Sequence, residues 1–595
     1  MPKIVGPWLC GLFDSDRVSA KETRESLLKV FKGEEKLNSI WKAYQNAILE
    51  FCKTTMTTES VYSLSDERWV VPDDAEAKFA RVMATCCLAV AHLISTQELE
   101  HLDESYEALL REKTLWTFAF HPDPFLRRAV YKLLQDALEK RPQWISSNLD
   151  MVSTALIMKA SAKFEAPSVN AYLEALVALT KQFPEAWTLA KPSKKKTALT
   201  QFVYFVEQGS QLAPPSYWDQ VSSVLVLLPK EIFSEKEESA RNMLNGILSG
   251  IKAGPEPRTH VMAAWSCFWD VCYRFLELQL AWPGFDDFIL QQSIFQVYEG
   301  YVAGVKPKER YIISQDDGVA AAVCGNGLVK LDRLGKDIAT KVLNDVWKKV
   351  EGLAVNIVKA ERADTTENGA SLRKCGEAWT RLVAGVLKEL PKNGVVYEAV
   401  VKSNVAILAE LVESILATNG IYYAFSLAGS RDTHRRIGKA VGTAIFFENL
   451  LAKVGAELLQ DKGSLEITWD FLLGKFPSIL EPETVEHLLE AFVSYGTHTN
   501  DATAFREAWK KIINTLMMST LSKEKKENSI ALLLNSASSS LADKVSPVPE
   551  LDMYIVNKMR SALPETSSSS TWILVKDALN TTSEDAPGTP MITCD

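Results

Sequence analysis

A chain of 595 residues is too long for one compact core, because single cores stop growing at roughly 250–300 residues; several domains or one elongated array must share its apolar side chains. Hydrophobic residues make up 47% and charged residues 24%, a globular balance that excludes a disordered or fibrous chain. The formal net charge of −9 argues against wrapping nucleic acid with the whole surface, DNA included, although a local basic patch can still meet a phosphate backbone.

From the N-terminus, MPKIVGPWLCGLFDSD lacks the charged start, apolar h-region and cleavage site of a secretory signal. The pattern then predicts amphipathic helices over 16–31, 34–56, 73–94 and 99–118. The longest apolar stretch, 82–94, is too short to span a bilayer and carries His92, so no membrane is expected. The next segment, HPDPFLRRAVYKLLQDALEKRP (121–142), carries every local helix signal. Phe125, Ala129, Leu133 and Ala137, with Val130, Leu134 and Leu138, recur at three- and four-residue intervals. Asp123 is a good N-cap, Pro124 suits the first helical position, and Pro142 stops the helix.

Helices continue over 169–183, 198–208 and 218–228, and Ser234 with Glu237 offers a capping box before SARNMLNGIL. Further helical patterns cover 260–280, 338–358, 372–389, 403–417, 441–458, 485–495 and 505–516, whereas β runs such as VLVLLP and YIIS are isolated. Helix pairs at a spacing near roughly 40–47 residues give an all-α fold, a HEAT/armadillo-like α-solenoid of paired antiparallel helices. One large bundle is the alternative, and it needs a larger core than single domains build.

The expected organisation is N-terminal repeats over 1–315, an irregular, loop-containing connection with a helix over 316–371, continued repeats over 372–530, and a loop-rich end over 531–595. The Gly- and Asp-containing 315–328 and the serine runs at 536–540 and 567–570 prompt those boundaries. The last residues read as a frayed tail without a polar capping helix, the mark of a fragment.

Nine scattered cysteines, odd in number, argue against a disulfide framework; most sit in apolar runs and read as buried core thiols. Cys86 and Cys87 point about a third of a turn apart on their helix and read as inert. Cys267 and Cys272, with His260, lack a fourth ligand for structural zinc and share their helix with Trp265 and Trp269, so packing is the plainer reading. CGNGLVKL (324–331) has no Walker frame, and no G-x-S-x-G occurs, which leaves no catalytic, metal or cofactor residue to name.

Basic clusters are the sharper surface signal. Lys191, Lys194, Lys195 and Lys196 form a compact run leading into a helix, and Arg435 and Arg436 lie with Arg431 and Lys439 around His434. Either set suits a phosphate backbone, or is simply a solvated face. Most of the fifteen tryptophans, including Trp8, Trp41, Trp116, Trp187, Trp265, Trp269 and Trp347, fall on apolar stripes and are expected between helix layers. Trp69, in DERWVVPDD, lies in a loop and is the best candidate for an exposed anchor.

Several phrases carry a family resemblance: PKIVGPWLCGLFDSDRVSAKETRESLLKVF (2–31), SLSDERWVVPDDAEAKFARVMAT (63–85), HPDPFLRRAVYKLL (121–134) and FVEQGSQLAPPSYWDQV (205–221). In order and content they resemble the N-terminal HEAT-repeat region of listerin, fungal members above all. The resemblance is strong over roughly the first 230 residues and thins to helical texture beyond. It implies a cytosolic, monomeric scaffold arm that docks on the large ribosomal subunit with its quality-control partner, so that stalled nascent chains are ubiquitinated. It implies too a RING ubiquitin ligase domain, zinc-bound and far downstream, through which a ubiquitin-conjugating enzyme engages. No paired C-x2-C spacing of a RING occurs in these residues, and the chain is expected to begin inside the family's N-terminal region. The alternative is a karyopherin-like carrier or another protein-binding scaffold, since solenoids share texture across functions.

Overall fold

The computed structural model describes residues 2–562 apart from 67, 98–101, 163–165, 192–195, 212, 215, 235–236, 254–257, 281, 304–312, 315, 360–366, 419–430 and 546–547. The described residues are helical throughout, without a strand. The chain divides into two compact units, Met1–Ile289 and Leu290–Asp595.

The first unit opens with α1 (Pro2–Cys10) and α2 (Gln45–Thr58), which pack on each other and on α3 (Pro72–Thr96). A row then runs through α3, α4 (Pro124–Lys140), α5 (Ala166–Gln182), α6 (Ser216–Leu227) and α7 (Arg258–Leu278), each helix packed on the next. Their first residues lie 52, 42, 50 and 42 positions apart, close to the period of HEAT-type units. Shorter helices such as Ala198–Val206 and Glu237–Lys252 pack against each other as a second row. The unit is an all-α solenoid, as the periodicity predicts.

Helix α4 shows why these residues take this form. The Asp123 carboxylate accepts hydrogen bonds from the Phe125 and Leu126 amides at 2.8 and 3.0 Å, and Pro124 occupies the first turn, where no amide is needed. Leu126, Val130, Leu133, Leu134 and Ala137 are buried on one face. Arg127 is buried completely, its Nη1 donating to the His121 and Pro122 carbonyls at 2.6 and 2.8 Å and its Nε to Ser168 Oγ at 3.1 Å. One guanidinium therefore ties the turn before α4 to the first turn of α5.

The apolar stretch 82–94 belongs to α3, a helix of 25 residues that is long and apolar enough to cross a membrane by length and composition alone. Burial between α2 and α4 accounts for that apolarity.

In the second unit the row is α8 (Asp317–Asp332), α9 (Glu367–Glu389), α10 (Arg431–Leu458), α11 (Val485–His498) and α12 (Lys523–Ser539). Lys348–Lys359, Val395–Thr418 and Lys462–Trp469 form its second row. Trp347 and Trp379 stack between the rows at 5.3 Å, and the Trp379 indole donates to Asn404 Oδ1 at 2.9 Å.

Two expectations are corrected here. The segment 315–328, read as a loop, lies largely in α8. Asp316 caps it by accepting from the Gly318 and Val319 amides, and Gly325 lets α9 approach so closely that an added Cβ would sit 3.3 Å from Val386 Cγ2. The serine-rich 531–540 is likewise mostly helical, and the Ser536 and Ser539 hydroxyls turn back to the carbonyls of Leu532 and Asn535. A further helix covers Pro549–Ala562. The first unit ends inside a wide-turned helical segment, Asp287–Phe295, which contains no glycine or proline.

Candidate interaction surface

The loop between α2 and α3 is rigid by its own chemistry. Ser60 and Ser63 cap a short helix, Val61–Leu64, by bonding each other's amides. Asp66 then organises the turn: its carboxylate accepts from the Arg68 amide at 3.1 Å and from the Arg68 guanidinium at 3.0 and 2.7 Å. Its carbonyl accepts from the Trp69 and Val70 amides at 2.9 and 3.0 Å. The Arg68 hydrogen bonds hold the Asp66 carboxyl below the usual carboxylate range. Trp69 leaves this turn 84% exposed, and Tyr62 on the preceding helix is 75% exposed. Of the stripe tryptophans, Trp41, Trp116, Trp187, Trp265, Trp269 and Trp347 are buried, and Trp8 is half-buried. An indole on a pre-ordered turn loses little entropy when a partner covers it.

The basic residues are arranged differently. Lys191 Nζ pairs with Asp150 Oδ2 at 2.9 Å, and Lys196 Nζ lies 4.5 Å from the ring centre of half-exposed Tyr204. Lys196 and Tyr204 line a groove of about 530 Å³ that also contains Glu207 and Glu238, so this end of the run does not form an all-positive cradle. Lys194 and Lys195 lie outside the described residues. Arg435 and Arg436 are in α10, but their side chains lie outside the described ones. The described basic side chains, Lys191 and Lys196, are therefore engaged by Asp150 and Tyr204.

One cluster has no counterpart in the sequence reading. The sulfurs of Cys10, Cys52 and Cys86, one each from α1, α2 and α3, all lie within 4.8 Å of one another, and the Cys10 and Cys52 sulfurs are 3.6 Å apart. All three are buried, yet Cys10 and Cys86 also line a cavity of about 800 Å³ that opens to solvent between Asp14, Lys78, Arg81 and Asp123. Hydrogen bonds from Cys10 and Cys52 hold the Cys86 thiol below the usual thiol range, and the same contacts push Cys52 up. Each cysteine looks like an ordinary apolar residue in its own helix. The only available signal was that all three fall on buried stripes of consecutive helices.

Residues 1–228 match the family model described as the N-terminal domain of the E3 ubiquitin-protein ligase listerin. Over these residues the chain is similar to listerin. Listerin of Neurospora crassa is 26% identical over 402 residues, which cover 66% of this chain and 24% of that protein. Mouse listerin is 23% identical over 296 residues, covering 47% of this chain and 16% of that protein. The chain thus spans a quarter or less of the length of these listerin relatives. Among solved structures, the karyopherin Kap121p bound to Pho4p aligns with 98% of this chain and 53% of its own, at 10% identity and a TM-score of 0.38. Both the Trp69 turn and the three-thiol cluster fall within the listerin-matched residues.

Proposed function

We propose that this chain is the N-terminal scaffold of a listerin-type E3 ubiquitin ligase, acting in the cytosol as a monomeric arm. It docks on the large ribosomal subunit and a quality-control partner, and a RING outside these residues ubiquitinates the stalled nascent chain. The reading rests on the family match together with one observation: a fully presented tryptophan on a locked turn, inside the matched residues. Trp69 anchors the contact, and Lys194 and Lys195 supply its electrostatic share. The described ends of that basic run are already engaged by Asp150 and Tyr204.

Co-sedimentation of the purified chain with separated large and small ribosomal subunits, across a salt series, tests this. Retention on the large subunit alone, weakening as salt rises, is the expected result. Trp69→Ala weakens it roughly tenfold or more without loss of helicity, as removal of an anchor does. Charge reversal at Lys194 and Lys195 flattens the salt dependence. A folded chain that binds neither subunit, or both equally, removes the proposal.

A further inference from the structure

The three-thiol cluster beneath α1 has the composition, spacing and access of a metal site. Three sulfurs around a tetrahedral zinc ion, each at about 2.3 Å, lie about 3.8 Å from one another. The observed sulfurs are all within 4.8 Å, with one pair at 3.6 Å, so closure on a cation asks for a shift of about 1 Å at most in the widest pair, against ligand distances typical of zinc. The thiols come from three helices that pack on one another directly, so their backbones are held independently of any ion. At Gly6 an added Cβ would sit 2.7 Å from Phe51, which shows how tightly α1 presses on α2 beside Cys52.

Ligand count and charge decide the class of ion. Three thiolates around a divalent cation leave a net charge of −1, and around a monovalent one −2, which is harder to bury. A divalent thiophilic ion needs a fourth ligand. Cys10 and Cys86 line the adjoining cavity, which supplies both an entry path and room for a water at that position. Lys78 and Arg81 line the same cavity with Asp14, Asp74 and Asp123; Arg81 Nε is held 2.6 Å from Asp14 Oδ1, and Lys78 donates to the Leu64 carbonyl, so the entry path is polar and charged. Thr55 brings a hydroxyl beside Cys86 as an outer-shell donor, whereas the Thr85 hydroxyl donates to the Val82 carbonyl.

We propose that Cys10, Cys52 and Cys86 bind a divalent, zinc-class cation through three thiolates, with water from the cavity as fourth ligand, and that the ion clips α1 to α2 and α3. Binding converts three thiols and one aqueous cation into the tris-thiolate complex and releases three protons, with no change of oxidation state.

The test uses the full chain under reducing conditions, stripped of metal, with cobalt(II) as the spectroscopic probe. One equivalent of cobalt is expected to produce a sulfur-to-metal charge-transfer band and tetrahedral visible bands, which zinc displaces and copper(I) and magnesium serve to compare. Cys86→Ala and Cys52→Ala abolish the bands, whereas Cys87→Ala, whose sulfur faces Met56 instead, retains them. Because core substitutions can unfold the chain, the unmodified protein is also alkylated with and without zinc: Cys10, Cys52 and Cys86 become protected together and the other thiols do not. A folded chain without the charge-transfer band overturns the site. Bands that survive Cys86→Ala, zinc that leaves alkylation of the three unchanged, or copper(I) binding in place of zinc do so equally.

Discussion

The two units are built alike and differ in what their residues specify. In the first, the row helices start 52, 42, 50 and 42 residues apart, and the listerin match covers 228 residues. In the second, the row helices start 50, 64, 54 and 38 residues apart. Both rows form because apolar stripes recur at helical period, and any sequence with that pattern stacks in this way. The junctions are more demanding. Asp123 and Arg127 each bind two backbone groups and Pro124 suits the first turn, so few other residues serve there. A stripe position accepts Leu, Val or Ile nearly alike.

The largest expected effect tests whether the units are stabilised separately. Trp379→Ala deletes an indole that is wholly buried, stacked on Trp347 and hydrogen-bonded to Asn404, and should cost about 4 kcal/mol. Hydrogen exchange resolved by peptide should show lost protection in α8 to α12 with α3 to α7 unchanged. Equal loss in both sets would mean that the chain unfolds as one cooperative body, and the comparison between units would then have no energetic content.

A smaller effect tests the junction argument. Arg127→Met keeps much of the side-chain bulk but leaves the His121 and Pro122 carbonyls without their charged donor, at a cost of about 3 kcal/mol. The loss should appear as fraying of the first turns of α4 and α5. An effect as mild as that of a surface change would mean that the stripes alone hold this region.

How far the sequence foretold this molecule follows the same division. Helix α4 was legible almost to the residue, because cap, stripe and stop agree. Trp69 was legible as exposed because it sits among polar loop residues, away from any stripe. The expected helix over 34–56 is instead two, Glu34–Ala43 and Gln45–Thr58, broken at Tyr44, where no glycine or proline announces the bend. Helix α8 was misread because glycine signals a turn locally, while here it serves close packing against α9. The thiol cluster was beyond reach: Cys10 and Cys52 are 42 residues apart, and only the packing of three helices brings them together with Cys86. Local rules report local structure, and sites assembled across repeats have no spacing to read.

The smallest expected effect is a difference in acid sensitivity. His92 and His121 in the first unit and His498 in the second are all held below the usual histidine value of 6.5, chiefly by burial. His92 packs 4.8 Å from the Trp41 ring and 5.5 Å from Phe13, where an imidazolium loses its water. A folded-state value below the unfolded one means that the unfolded chain takes up protons first. The stabilisation is therefore complete above pH 6.5 and is lost as the pH falls from there through the folded values. Asp136, raised by burial, opposes the loss, since its folded form favours the proton. Two such histidines against one predict that protection in α2 to α4 declines more between pH 7.5 and pH 5.5 than protection in α10 and α11. His92→Gln, uncharged throughout, should remove much of the excess. An unchanged decline would assign the acid sensitivity to His121, whose ring lies 6.3 Å from Phe79 at the turn that Arg127 holds.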